Sequence, residues 1–505
     1  MSAPEKTLDA LSTEHLKPDL KGRSVRGGVL TLASQVSQFV LSTAFTVVLA
    51  HLLTPADFGL VAMVTAVTAL GQAFADLGLS EATIQQPDLT HDQVSALFWI
   101  NLAIGAGLNL ITASLAPVLA RFYHEPRLVA ITLVLSTVFI IGGLRVQPDA
   151  LLKRQMRFKA LAIRDVAGNA LGVLVSIIMA ISGAGYWAIV ALPLTTNFAI
   201  MALSWMMVRW RSSLPRRGVQ VRSLLAFGSH VAASYLVDNF NRNASNIVIG
   251  WYWGAAPLGL FSRAYNLLMK PVSQLTAPAA GVAIPAFSRL HDDTERFAHY
   301  YVRTISLIMW VGAPLFGFLF VAARPVIALV LGRKWLEAAP VFQFLAISSL
   351  AQPVFQSGAW VLLSTGRSER LLKLSLMTSP VIVGSFVIGL PFGIKGVALS
   401  YSIAFVAALP WILRFVFRGT ALTVARVGRA VICPVALCLS GVVFSEIALR
   451  LLDPSTMGGE FLVIGLGFAL TYLIAAFIPS VRRQALSFSG VIRELGLFRQ
   501  VVPEM

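Results

Sequence analysis

The sequence predicts an all-α integral membrane protein of about fourteen transmembrane helices: two parallel-repeat lobes of six helices each, followed by two more at the C-terminus. Three observations carry this. Of the 505 residues, 57% are hydrophobic and only 12% charged, about half the ~25% charged fraction of a soluble domain. Apolar runs recur along the whole chain, and fourteen spans of ~22 residues, each long enough to cross a bilayer, use roughly 310 positions. The landmarks of the first six spans return in the same order in the next six.

Apolar runs broken by charged or Gly/Pro clusters place the spans. The first lobe, 27–208, holds 27–50, 58–80, 94–120, 127–147, 161–182 and 186–208. The second, 223–417, holds 223–250, 257–284, 299–322, 338–363, 370–390 and 394–417. Two further spans, 429–451 and 460–479, lie in the segment 418–480. Residues 324–331 either lengthen the ninth span or lie re-entrant at the interface. A cytoplasmic arm (1–26), an inter-lobe linker (209–222) and a cytoplasmic tail (481–505) complete the chain. The arm has no short apolar core or small-residue cleavage site, so it does not read as a signal peptide. The segments between spans are too short to enclose a core of their own, which excludes an inserted nucleotide-binding or glycosyltransferase domain.

Basic residues orient the chain. With the N-terminus inside, thirty of the forty Lys and Arg fall on the cytoplasmic side and seven on the periplasmic side. The positive-inside rule accepts only that orientation, and it puts both termini in the cytoplasm. The net charge of +17 therefore meets anionic lipid rather than nucleic acid. This arithmetic leaves three of the forty unplaced, Arg242, Arg263 and Lys270, which sit well inside spans seven and eight. Cys433 and Cys438 share one apolar span and read as inert helix residues.

The internal repeat rests on short joins. Leu52-Leu53-Thr54-Pro55-Ala56-Asp57-Phe58-Gly59-Leu60 links spans one and two, and Gly254-Ala255-Ala256-Pro257-Leu258-Gly259-Leu260 links spans seven and eight. Gly183-Ala184-Gly185-Tyr186-Trp187-Ala188 opens span six, and Gly393-Ile394-Lys395-Gly396-Val397-Ala398 opens span twelve. The offsets are 200 and 210 residues. Six spans separate the copies, so both have the same orientation. Parallel repeats of this kind place a substrate site between lobes in secondary transporters.

Polar stripes indicate what the spans face. In span seven, Tyr235, Asp238, Asn239, Arg242 and Asn246 recur at helical spacing and form one face. In span eight, Arg263, Asn266, Lys270 and Gln274 do the same, with Pro271 as a kink. The first lobe echoes them with Gln35, Gln38, Ser42 and Thr46 in span one and Thr65, Thr68, Gln72 and Asp76 in span two. Ionisable groups at membrane depth face a partner or a water-filled cavity. Three cations against Asp238 and Asp76 make a cationic chamber, suited to an anion that Arg can hold bidentately. Asp238 and Arg242 stand i,i+4 and form either an ion pair or part of that site. Asp76 is either a structural acceptor or a titrating group that couples transport to ions. Asn101 and Asn109 in span three read as helix-packing polar residues. The seven histidines show no metal-ligand spacing, and no phosphate loop, nucleophile elbow or carboxylate pair is present. The chain reads as a non-enzyme without metal or organic cofactor.

Several motifs resemble one family. They are Leu79-Ser80-Glu81-Ala82-Thr83-Ile84-Gln85, then Leu89-Thr90-His91-Asp92-Gln93-Val94-Ser95 and Leu97-Phe98-Trp99-Ile100-Asn101. To these are added Ala150-Leu151-Leu152-Lys153-Arg154-Gln155-Met156-Arg157-Phe158 and Arg242-Asn243-Ala244-Ser245-Asn246-Ile247-Val248-Ile249-Gly250. Leu258-Gly259-Leu260-Phe261-Ser262-Arg263-Ala264-Tyr265, with Pro271 after it, completes the set. From about residue 20 to 420 the chain resembles the polysaccharide transporters (colanic-acid and exopolysaccharide exporters, Wzx-type flippases) of the multidrug/oligosaccharidyl-lipid/polysaccharide (MOP) superfamily. The resemblance implies two six-helix bundles in an inverted V plus two C-terminal helices. It implies a flippase for undecaprenyl-diphosphate-linked oligosaccharide in the bacterial inner membrane, serving exopolysaccharide or lipopolysaccharide synthesis by alternating access. The expected diphosphate ligands are Arg242, Arg263 and Lys270. The expected polar lining is Gln38, Gln72, Asp238, Asn239, Asn246, Asn266 and Gln274. Proton or Na+ coupling through Asp76 or Asp238 is implied, with membrane lipids, a polymerase and a chain-length regulator as partners. This chain has Ser245 where relatives commonly have Asp and Trp251 where they often have Arg, as if a pair of charges were lost together. The alternatives are a MATE-type multidrug exporter, a lipid II flippase and, from another class, a membrane-embedded polymerase or ligase.

Reporter fusions test the topology. Fusions at Arg216, Arg367 and the C-terminus should report cytoplasm, and those at Thr54, Gly183 and Pro257 periplasm; a periplasmic C-terminus would put the span count wrong by one.

Overall fold

A computed structural model describes residues 20–477 apart from 73, 75–79, 81–82, 85–88, 209, 215–221, 291–292 and 455. Among the described residues there are fourteen long helices. They are α1 (Leu20–Leu52), α2 (Pro55–Gln72), α3 (His91–Ser114), α5 (Arg127–Arg154), α6 (Phe158–Ile181), α7 (Tyr186–Met207), α8 (Arg222–Trp253) and α9 (Ala255–Arg289), then α10 (Thr294–Val321), α12 (Ala339–Ser364), α13 (Ser368–Gly389), α14 (Gly393–Val416), α15 (Val424–Leu452) and α16 (Met457–Ala476). Two short helices, α4 (Ala116–Phe122) and α11 (Ala323–Val330), follow α3 and α10. The ambiguous stretch 324–331 is thus a separate short helix. Ten stretches among the described residues are long and apolar enough to cross a membrane, and one of them, Glu369–Val416, holds both α13 and α14. The ten account for eleven of the long helices. The other three, α2, α8 and α9, fall outside them; α8 and α9 do so despite exceeding 30 residues, because polar residues lower their mean hydropathy.

The turns follow from side chains at helix starts. Thr90 and Gln93 form a reciprocal capping box at α3, at 3.2 and 3.0 Å. Thr54 and Asp57 do the same around Pro55 at α2, where the Thr54 amide donates to Asp57 at 2.9 Å and the Asp57 amide to Thr54 at 3.3 Å. Thr423 and Thr456 cap α15 and α16. Each cap satisfies amides that have no intrahelical partner.

The chain divides into two compact units after Ser262. In the first, α1 lies on α6, α6 on α7, α3 and α7 on α5, and α8 on α2. Small residues allow the close crossings: a Cβ on Gly105 would stand 2.5 Å from Phe139 O, and one on Gly143 would stand 2.7 Å from Asn101 O. Asn109 donates to Ser136 at 2.9 Å across the same α3–α5 contact, and Asn101 is buried in it, as expected of packing polar residues. In the second unit, α12 is the interior helix, with 67% of its most apolar window buried against 22% for α15 and α16. It is flanked by α10 and α14. Large apolar side chains remain exposed along both units, among them Ile181, Ile388, Leu451 and Leu466. Such surface requires lipid around it.

The repeat appears in the turns. Met156 (φ 51°) precedes Arg157 at the start of α6, and Gly366 (φ 68°) precedes Arg367 at the start of α13, 210 residues later. Arg157 donates to Met207 O at the end of α7 (2.7 Å), and Arg367 donates to Arg418 O (2.7 Å) and Gly419 O (3.0 Å) just past α14. In both places a guanidinium caps carbonyls that lack helical donors. Gly183 and Gly393, paired in the sequence, both adopt positive φ, 81° and 73°.

Helices α5 and α6 run through most of 145–164, a stretch whose six Lys and Arg count on the cytoplasmic side, and Arg145 and Arg164 join a partly buried network among α5, α6 and α7. Asp149 is bound by Arg164, by Arg145 at 3.1 Å and by the Ser204 hydroxyl at 2.7 Å. Arg164 also pairs with Asp165 at 2.8 Å, and Arg145 reaches Asn197 at 3.0 Å. Two guanidinium groups and two carboxylates neutralise one another. Truncating one member leaves a buried charge, so Arg164→Leu should cost ~3–5 kcal/mol. Arg164→Leu combined with Asp149→Leu should recover most of that, because Arg145 keeps a solvent-accessible side. Thermal unfolding of the purified variants checks both, and a wild-type midpoint for Arg164→Leu would refute the assignment.

Candidate functional site

The second unit contains the clearest polar stripe. Arg263, Asn266, Lys270 and Gln274 follow at steps of three and four along α9, while Phe261, Ala264, Leu268 and Val272 on its other side are buried. Asn266 and Gln274 are exposed; Arg263 and Lys270 are partly buried. The two cations lie within electrostatic reach of each other, and α9 contains no acidic residue. Pro271, Pro278 and Pro285 interrupt its hydrogen-bond ladder at seven-residue intervals, each removing one amide donor. The sequence reading used only the first of them.

In the first unit, Arg242 is exposed on α8, with Asn239 and Asn246 partly buried. Asn246 leans on Asn243 at 3.4 Å, and Asn243 donates to Asn239 O at 2.9 Å. The side chains of Tyr235 and Asp238, and all of Asp76, lie outside the described residues. Gln38 donates to Ser34 at 3.0 Å, and Gln72 is exposed at the end of α2. Ser42, Thr46, Thr65 and Thr68 direct their hydroxyls to carbonyls of their own helices. The structure therefore places Arg263 and Lys270 together on one face and Arg242 with its asparagines on another, in separate units.

Ser245 and Trp251 do not face each other. Ser245 is buried, whereas Trp251, six residues on, is half exposed and stacks on Phe122 at 6.2 Å.

Sequence reasoning missed two features. In the second unit a neutral hydrogen-bonded ladder crosses the interior: Gln352 donates to Tyr401 (3.2 Å), Tyr301 pairs with Ser357 (2.7 Å), and Thr276 donates to Gln356 (2.8 Å). Its signal was Gln352, Gln356 and Ser357 around Pro353 on one apolar helix. In the first unit the start of the expected linker is anchored. Trp210 is fully buried against Phe98 and Trp205, Trp99 donates to Ser213 O at 2.8 Å, and the Ser213 amide donates to Ser95 at 3.1 Å. Among the described residues no three His, Cys, Asp or Glu side chains gather as metal ligands.

The comparisons with known proteins bear on this arrangement. A family model described as polysaccharide biosynthesis protein matches residues 48–340. The chain belongs to this polysaccharide biosynthesis protein family. The match spans α8 and α9 and so includes Arg242, Arg263, Asn266, Lys270 and Gln274. The lipopolysaccharide biosynthesis protein WzxC of Escherichia coli (strain K12) is 23% identical over 376 residues, covering 73% of this chain and 76% of that protein. Among solved structures, the lipid II flippase MurJ in an inward closed conformation matches with a TM-score of 0.71 at 12% identity, over 88% of this chain and 97% of that one. A multidrug resistance MATE family transporter of the MOP superfamily, inward-facing, matches at 0.61 and 16% identity, over 76% and 96%. At these identities the structural matches show a shared fold. This member of the polysaccharide biosynthesis protein family is therefore a multi-pass helical membrane protein that shares its fold with MurJ and with a MATE transporter.

Proposed function

We propose that the protein moves a polyprenyl-diphosphate-linked oligosaccharide across the bacterial inner membrane for exopolysaccharide or lipopolysaccharide synthesis. The observation that carries this reading is the α9 stripe, where Arg263 and Lys270 share a polar face with no acid on their helix. A diphosphate offers several charge-dense oxygens that a guanidinium fork and an ammonium can hold together. Arg242 with Asn239 and Asn246 on α8 adds a further cation, and Gln38, Gln72, Asn266 and Gln274 supply neutral hydrogen bonds to a glycan. A MATE-type exporter of cationic drugs is the poorer reading, because a basic stripe repels its substrates. Two lobes, 27–208 and 223–417, alternate access around this chamber, with both termini in the cytoplasm. Proton or Na+ coupling acts through Asp76 or Asp238. A polymerase and a chain-length regulator take the product at the outer leaflet.

Deleting the gene should abolish surface polymer and leave lipid-linked repeat units in the cytoplasmic leaflet; normal polymer in a clean deletion without a paralogue would overturn the assignment. In reconstituted vesicles, Arg263→Ala or Lys270→Ala should cost ~1.5–3 kcal/mol of charge-assisted hydrogen bonding, about a tenfold to hundredfold loss of flipping. Arg263→Lys should rescue only in part, since an ammonium cannot form the bidentate fork. If Arg242 serves only to neutralise Asp238, Arg242→Ala with Asp238→Ala should restore folding and transport together. Wild-type rates for Arg263→Ala or Lys270→Ala on a diphosphate-linked substrate would remove α9 from the site.

A further inference from the structure

Two glycines that the internal repeat makes equivalent meet each other in the fold. Gly59, on the second turn of α2, and Gly259, on the second turn of α9, are 200 residues apart in sequence. A Cβ built on Gly59 would stand 1.7 Å from Ala255 O, and one built on Gly259 would stand 1.8 Å from Pro55 O and 3.2 Å from Gly59 N. The contact is reciprocal, because each glycine faces the carbonyl one helical turn before the other glycine. All four residues belong to the first unit, which ends at Ser262, while α9 itself continues beyond it. Backbone meets backbone here, so no side chain can rotate away to make room. The approach is that of a small-xxx-small helix crossing, with Ala255 and Gly259 as the small pair on α9, and it suits Cα–H to carbonyl contacts. Directly beneath lie Leu258, Met63 and Gly250, where a Cβ on Gly250 would touch both of the others at 3.2 Å. Leu258 and Met63 are buried. A packing crossing elsewhere in the chain, Gly105 with Gly143, joins two helices of one lobe along their length; the Gly59–Gly259 crossing joins one helix from each copy of the repeat.

We propose that the Gly59–Gly259 crossing is a steric clasp that closes the end of the transport path where α2 and α9 begin, the periplasmic end in the topology that the basic residues define. Closed, the two first turns touch with nothing between them. Opened, they separate and uncover Leu258. A single methyl group at either glycine holds the clasp apart. This inference rests on the transport reading above, but the clasp has its own observable.

The test uses the full-length protein with Cys433 and Cys438 changed to Ala and one reporter, Leu258→Cys, probed with a membrane-impermeant maleimide in oriented vesicles. With Gly59 and Gly259 intact the reporter should label slowly. Gly59→Ala and Gly259→Ala should each raise the labelling rate at least tenfold, and in a Leu258 background each should lower flipping of a diphosphate-linked oligosaccharide at least tenfold. The double variant should be no worse than either single one, because the first methyl has already parted the helices. Gly428→Ala, at a glycine with open space around it, should leave both readouts unchanged. A static packing role would instead give additive losses of thermal stability with unchanged labelling, and that result overturns the proposal. If the alanine variants do not fold, Ala56→Cys with Ala256→Cys, bridged by a reductant-cleavable bis-methanethiosulfonate, should stop flipping and regain it on reduction; full-speed flipping while bridged overturns the clasp. If the wild type moves no diphosphate-linked substrate while labelling still responds to the glycines, the transport reading fails and the clasp stands.

Discussion

A charged group at membrane depth must find an opposite charge, a dense set of hydrogen bonds or water, and this molecule answers that demand in two ways. In the first unit Asp149, Arg145, Arg164 and Asp165 satisfy one another among three helices, with Ser204 and Asn197 taking the remaining donors. That cluster is neutral and partly buried, so its effect is to hold α5, α6 and α7 in one arrangement. In the second unit Arg263 and Lys270 stand on a helix without an acidic residue, flanked by exposed amides. The first arrangement leaves little for a ligand to do; the second is the stripe on which the proposed diphosphate site rests.

Backbone geometry at the helix ends makes such charges affordable. The arginine caps at Met207 O and Arg418 O close two helices that end near the cytoplasmic side of the expected topology, and the arginines that make them, Arg157 and Arg367, lie 210 residues apart in the repeat. The repeat is therefore best kept where the chain turns and where backbones cross. It has diverged where charge is used, since the first unit's ion network has no counterpart in the neutral Gln352–Tyr401 and Tyr301–Ser357 ladder of the second. The three prolines of α9 act in the same direction, since each missing amide lets the cation-bearing helix bend where an unbroken ladder would resist.

Much of the fold was legible because lipid imposes a simple code. A helix satisfies its own backbone in hydrocarbon, so length and hydropathy located the helices, and among the described residues long helices stand at those places. The caps at Thr54, Thr90 and Thr423 are equally local, with donor and acceptor three residues apart. The α9 stripe could be read because helical periodicity puts residues three and four apart on one face.

What depended on tertiary structure was every relation between residues distant in sequence. Arg145 and Arg164 read as loop cations by sequence, because only the packing of α5, α6 and α7 brings Asp149, Asn197 and Ser204 to them. Trp210 and Ser213 read as linker, because their partners Phe98, Trp99 and Ser95 come from a helix more than a hundred residues earlier. Gly59 and Gly259 could be matched as repeat landmarks from sequence, but not as contacts. A glycine in a sequence records only that a side chain is absent; which backbone fills that space is decided when the helices cross.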